Sequence, residues 1–115
     1  MPCKRGDIAL VLFPDSNLRT AKRRRVLVVQ ADDLATGLPQ TIVAMITSNP
    51  ARAGHPSRVT VSLATQEGQA TGLLTDSAIM TDNLATVFET EIDRRIGAWP
   101  QMATVDAALR RTLAL

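Results

Sequence analysis

The sequence predicts a small, mainly β domain with appended helix: a strongly curved antiparallel barrel followed by a C-terminal helix. Three observations carry this. Short apolar or alternating runs follow one another closely, at Asp7–Phe13, Val26–Val29, Thr41–Thr47 and Arg58–Leu63. Turn formers rather than helical stretches separate them, whereas a parallel sheet would need a helix between its strands. Apolar residues at helical spacing come late, at Met102, Val105, Leu109 and Leu113, and mark one amphipathic helix that packs on the sheet.

Asp7–Phe13 (DIALVLF) runs into Pro14-Asp15, which suits a buried strand ending in a turn. The polar stretch Pro14–Arg23 has turn formers and no apolar period, so it reads as an exposed loop. Val26–Val29 is the second strand, stopped by Ala31-Asp32-Asp33. Thr36–Pro39 signals a turn, and Thr41–Thr47 (TIVAMIT) returns to strand composition until Ser48-Asn49-Pro50. After a second polar loop at Ala51–Ser57, Val59, Val61 and Leu63 alternate with Arg58, Thr60 and Ser62, the pattern of a half-buried strand. Gln66–Thr71 reads as a turn, and the pieces Gly72–Leu74, Ser77–Met80 and Ala85–Phe88 read mostly as strand. Pro100 suits the first position of the final helix, and Arg110 and Arg111 complement its C-terminal end.

A chain of 115 residues is long enough for one core and too short for two, so residues 1–115 are expected to form a single domain. Hydrophobic residues make up 45% and charged residues 21%, which excludes a disordered or fibrous protein. The single Cys3 excludes an intramolecular disulfide framework, and with the single His55 it leaves no Cys/His cluster for zinc. No metal and no other cofactor is expected. The apolar run Ile8–Phe13 is far below the roughly 20 residues that cross a bilayer. Lys4 and Arg5 precede it without a small-residue cleavage site after it, so a cytoplasmic location away from membranes is expected. The net charge of +2 is modest, but Arg19, Lys22, Arg23, Arg24 and Arg25 crowd one short stretch.

Strand alternation sends Arg24 to the side opposite Arg23 and Arg25, so at most part of this cluster is expected to face one ligand. Alone, such a run usually marks a solvated, edge-protecting surface. Thr47 and Ser48 close the third strand, where hydroxyls exchange hydrogen bonds without burial. Asp76-Ser77 has the chemistry of a turn, and His55, without a partner near it in sequence, reads as a surface residue.

It is the joint order of the segments that is specific. Arg5-Gly6-Asp7-Ile8 opens the first strand, Lys22-Arg23-Arg24-Arg25-Val26-Leu27-Val28-Val29 the second, and Val43–Asn49 ends the third in Ile46-Thr47-Ser48. Gly72-Leu73-Leu74-Thr75-Asp76-Ser77-Ala78-Ile79 and Ile96-Gly97-Ala98-Trp99 follow before the last helix. In this order they resemble the MazF/PemK toxin family over almost the whole chain. The resemblance implies a small SH3-like barrel of the CcdB/PemK-like toxin type with a C-terminal helix, assembled as a homodimer. It implies a sequence-specific, metal-independent endoribonuclease that cuts single-stranded RNA, stops translation and growth, and is neutralised by a cognate antitoxin protein. By the same resemblance Arg24 stabilises charge on the scissile phosphate and Thr47 orients it. Arg19, Lys22, Arg23, Arg25, Ser48, Asn49, Arg52, Asp76 and Ser77 would contact RNA.

The chain also departs from the pattern. Arg25 stands where the family usually has proline, and Leu74 where some members have arginine two residues before the aspartate. The loop before Arg24 lacks the acid or histidine of some members, and its one acid, Asp15, stands at its far end. The alternative reading is a toxin of the CcdB type, which shares the fold but poisons DNA gyrase without cutting nucleic acid.

Overall fold

The computed structural model describes residues 3–115. Its strands are β1 (Asp7–Pro14), β2 (Ala21–Val28), β3 (Gln40–Thr47), β4 (Arg58–Val61), β5 (Ser77–Phe88) and β6 (Ile92–Ala98). A single helical turn, α1 (Gln66–Gln69), precedes β5, and α2 (Met102–Leu113) follows β6. All neighbouring strands pair antiparallel in the order β4-β5-β3-β2-β1-β6.

Each face of this sheet carries its own buried cluster, because side chains alternate along a strand. On one face Ile8, Leu27, Ala44 and Ile79 pack with Trp99, Val105 and Ala108, so α2 covers that side. On the other, Ala9, Val11, Phe13, Val26, Val28, Val43 and Val87 cluster with no helix among them. A sheet that buries a face without a covering layer has to curl around it. The bend is built into β5: its register with β3 jumps from Leu84 opposite Ala44 to Met80 opposite Met45. Thr81, Asp82 and Asn83 are left without partners on β3, a wide bulge of the kind that kinks a strand.

The curved antiparallel sheet with a C-terminal helix agrees with expectation, while several boundaries need correction. The basic run Lys22–Arg25 lies within β2, paired with Leu10–Phe13 of β1, not in a loop leading to it. Pairing with β1 supplies the backbone hydrogen bonds, and Lys22, Arg23 and Arg25 stay exposed, so their charge carries no burial penalty. The edge strand β6 escapes a hydrophobicity reading because exposed Asp93, Arg94 and Arg95 interrupt its apolar pattern. Gln66–Gln69 is helical rather than a turn, with the Thr65 hydroxyl accepting the Gly68 N–H at 3.0 Å. Residues 72–74 form no strand, and the two apolar pieces after them are one strand spanning the bulge. The fourth strand stops at Val61. Helix α2 begins at Met102 rather than Pro100, and Leu113 is 50% exposed while Ala108 takes a core position.

Three of the ordered motifs serve the fold. Arg5 donates to the Val29 carbonyl at 2.9 Å and to Asp106 of α2 at 2.6 Å, and Asp7 pairs with Arg95 of β6 at 2.9 Å. The start of β1 is thereby tied to both the helix and the edge strand. Gly97 admits no side chain, since a Cβ there would lie 2.2 Å from the Thr71 carbonyl oxygen. Gly72 meets β6 from the other side, with φ +73° and a Cβ position 2.1 Å from the Ile96 carbonyl oxygen. The segment leading into β5 is thus laid backbone to backbone on β6.

Candidate active site

Strand β2 is paired on both sides only along its apolar half. Its ladder with β3 ends at Val26 opposite Met45, whereas pairing with β1 continues to Ala21 opposite Pro14. Past that point β2 and β3 separate and leave a groove of about 270 Å³. Arg23, Arg24 and Arg25 line it from β2, Thr47 and Ser48 from the end of β3, and Leu73, Leu74, Thr75 and Ser77 from the approach to β5. Three guanidinium-bearing residues and several hydroxyls, with no carboxylate among the lining residues, make it a site for an anion. Only part of the basic cluster lines the groove, as expected, with Lys22 and Arg19 outside it, but Arg24 joins Arg23 and Arg25 there instead of pointing away from them. The groove is an opening between strands, so residues from both faces of β2 reach it.

Arg24 shares its side of β2 with Val26 and lies opposite Val11 of β1. Its Nη2 is 3.3 Å from Asp15 Oδ1. The other Asp15 oxygen accepts the Thr20 hydroxyl at 2.7 Å, and the Asp15 N–H donates to the Thr20 carbonyl at 2.9 Å. The Thr20 hydroxyl first, and then the Arg24 guanidinium, hold the Asp15 carboxyl below the usual carboxylate range. An acid kept ionised in this way is a weak proton acceptor and a good anchor for a guanidinium. Asp15 looked remote from Arg24 along the loop, but the β1–β2 hairpin folds its two ends together. The signal was the hairpin register, which sequence reading placed wrongly by assigning Lys22 and Arg23 to the loop.

Thr47 Oγ1 accepts the Asn49 N–H at 3.1 Å, which leaves its own proton to donate. Ser77 Oγ donates to the Thr75 carbonyl at 2.9 Å. Asn49 and Asp76 lie outside the groove, in a small adjoining cleft that Ser48 and Ser77 also line. Their polar groups serve turns: Asn49 Oδ1 accepts the Ala51 N–H at 3.0 Å and Asp76 Oδ1 the Leu63 N–H at 2.8 Å. Arg19 and Arg52 line neither the groove nor the cleft. His55 stays in its own loop, with Nδ1 2.7 Å from Ser57 Oγ. Lys22 lines a second, larger groove of about 640 Å³ on the hairpin-loop side of Arg24, and Arg24 and Met45 belong to both. Sequence reading singled out neither Met45 nor Asn83, which lines this second groove from the β5 bulge.

Residues 4–113 match the family described as PemK-like, MazF-like toxin of type II toxin-antitoxin system. Endoribonuclease MazF2 of Mycobacterium bovis and endoribonuclease MazF6 of Mycobacterium tuberculosis are each 39% identical over 107 residues, covering 90% of this chain and 90% of theirs. A mycobacterial endoribonuclease solved in complex with its cognate antitoxin superposes with TM-score 0.76 at 17% identity, over 99% of this chain and 97% of that one. The Mycobacterium tuberculosis toxin MazF-mt6 gives TM-score 0.72 at 22% identity, over 95% and 97%. A chain of the MazE-MazF crystal structure from Deinococcus radiodurans gives TM-score 0.69 at 16% identity, over 98% and 96%. The fold is therefore shared, and with the match across nearly its whole length the chain belongs to the PemK-like, MazF-like toxins of type II toxin-antitoxin systems.

Proposed function

We propose that this chain is a cytoplasmic endoribonuclease toxin that cuts single-stranded RNA without a metal ion and is silenced by a cognate antitoxin. The observation that carries the reading is that Arg24 and Thr47, from different strands, line one groove free of carboxylates. RNA supplies its own nucleophile, so the protein has only to align groups, move protons and stabilise developing charge. The 2′-oxygen forms a bond to phosphorus as its proton passes to a solvent water, the bond from phosphorus to the 5′-oxygen breaks, and that oxygen takes a proton from water as it leaves. The products are a 2′,3′-cyclic phosphate and a 5′-hydroxyl.

In this scheme Arg24 grips the non-bridging phosphate oxygens with the N–H groups that Asp15 leaves unused. Thr47, whose oxygen is already an acceptor, donates its proton to the same phosphate. Arg25, with no ion pair among the described residues, and Arg23, drawn toward Asp93 at 3.6 Å, steer the chain into the groove. With two Phe, one Trp and no Tyr in the chain, stacking on aromatic rings is not the main grip, and arginine planes and polar loops replace it.

The protein works as a homodimer, and an acidic, apolar antitoxin segment would occupy the basic groove by folding as it binds. The family match favours this over the gyrase-poisoning alternative. The deciding test is incubation of the purified protein with single-stranded RNA in EDTA, followed by end mapping. Discrete fragments with cyclic-phosphate ends are expected from the wild type and none from Arg24→Ala. Intact RNA together with inhibited gyrase would instead support the alternative.

A further inference from the structure

We propose that the larger groove beside Arg24 holds the nucleobase next to the scissile phosphate, and that Asn83 reads it. The inference rests on the nuclease reading and concerns how the cut sequence is chosen. It starts from the β5 bulge, whose residues Thr81, Asp82 and Asn83 have no partners on β3. Two of the three are committed to structure. Thr81 donates its N–H and hydroxyl to the Ser57 carbonyl at 3.0 and 2.6 Å, and the Asp82 carboxylate accepts two N–H groups of Arg58 at 2.7 and 3.2 Å.

Asn83 is different. Among the described residues its amide makes one hydrogen bond, a donation to the Met45 sulfur at 3.3 Å, and a thioether is a weak acceptor. The amide therefore meets the groove with an oxygen acceptor and most of its donor capacity unused. Asn17, the other amide lining the groove, is not equivalent, because its oxygen already accepts the N–H groups of Arg19 and Thr20 at 2.9 and 3.2 Å.

The surroundings suit one nucleotide. At about 640 Å³ the groove falls in the range of small-ligand pockets, about 300–1,000 Å³. Arg24 forms the boundary with the groove that contains Thr47, so a phosphate gripped by Arg24 delivers its neighbouring base here. A carboxamide pairs with a base edge that presents a donor and an acceptor side by side, and single-stranded RNA leaves such edges unpaired.

The test is the base distribution around cut sites in a randomised single-stranded RNA, read for the wild type, Asn83→Leu and Asn83→Asp. Asn83→Asp keeps the side-chain shape and replaces the donor group by an acceptor, which guards against a folding defect in the leucine variant. The wild type is expected to favour one base at a position flanking the cut. That preference falls about tenfold or more in Asn83→Leu and moves to a different base in Asn83→Asp, while the preferences elsewhere persist. A lower rate on all sequences with an unchanged distribution means a merely structural role and overturns the inference. A wild type that leaves all RNA intact overturns the nuclease reading instead.

Discussion

Replacing Arg24 by lysine separates positive charge from preorganised geometry. A guanidinium carries five N–H donors in a fixed fork, and here Nη2 is directed to Asp15 at 3.3 Å, which sets the orientation of the others. Lysine keeps the charge that attracts RNA but offers a compact ammonium on a flexible stem, with neither the fork nor the anchor. Losing one preorganised donor to a transition-state oxyanion costs about 2.7–4 kcal/mol, or about a hundredfold to a thousandfold in kcat. For Arg24→Lys we therefore expect kcat to fall at least a hundredfold while KM changes by no more than about threefold. The ion pair with Asp15 is partly solvent-exposed, and such pairs contribute little to folding, so the thermal midpoint should stay close to that of the wild type. The assay is initial-rate cleavage of a short single-stranded RNA over a concentration series, with thermal unfolding followed in parallel. A variant with kcat within threefold of the wild type, or one that raises only KM, would refute a transition-state role for the Arg24 fork.

Thr47→Val should lower kcat about tenfold to a hundredfold, the worth of a hydrogen bond to a charged group, and Thr47→Ser should restore most of it; equal rates in both variants would remove the hydroxyl from the site. Val105 is the fully buried residue by which α2 packs on the sheet, and Val105→Ala should cost about 2 kcal/mol in denaturant unfolding through lost burial and the cavity left behind. The hydrogen bonds from Arg58 hold the Asp82 carboxyl below its ordinary range, so the ionised acid stabilises the native chain above the unfolded pKa of about 3.9. The difference in thermal midpoint between wild type and Asp82→Asn should be largest near neutral pH and shrink as pH falls through the depressed pKa; a difference unchanged down to strong acid would contradict the pairing.

What could be read along the chain was whatever local pattern encodes. Alternation and apolar runs marked β1, β3 and β4, helical spacing marked α2, and the ordered motifs singled out Arg24 and Thr47. Composition hid β6, because an exposed edge strand can carry Asp93, Arg94 and Arg95 with no apolar period. It also hid the true start of β2, since backbone pairing with β1 does not require apolar side chains. The groove depends on where the β2–β3 ladder ends, the Asp15 anchor on how the hairpin closes, and the exposure of the Asn83 amide on a three-residue slip between β3 and β5. Those are properties of register between distant segments. Residue types set which side chains could do chemistry, and long-range pairing decided which of them meet.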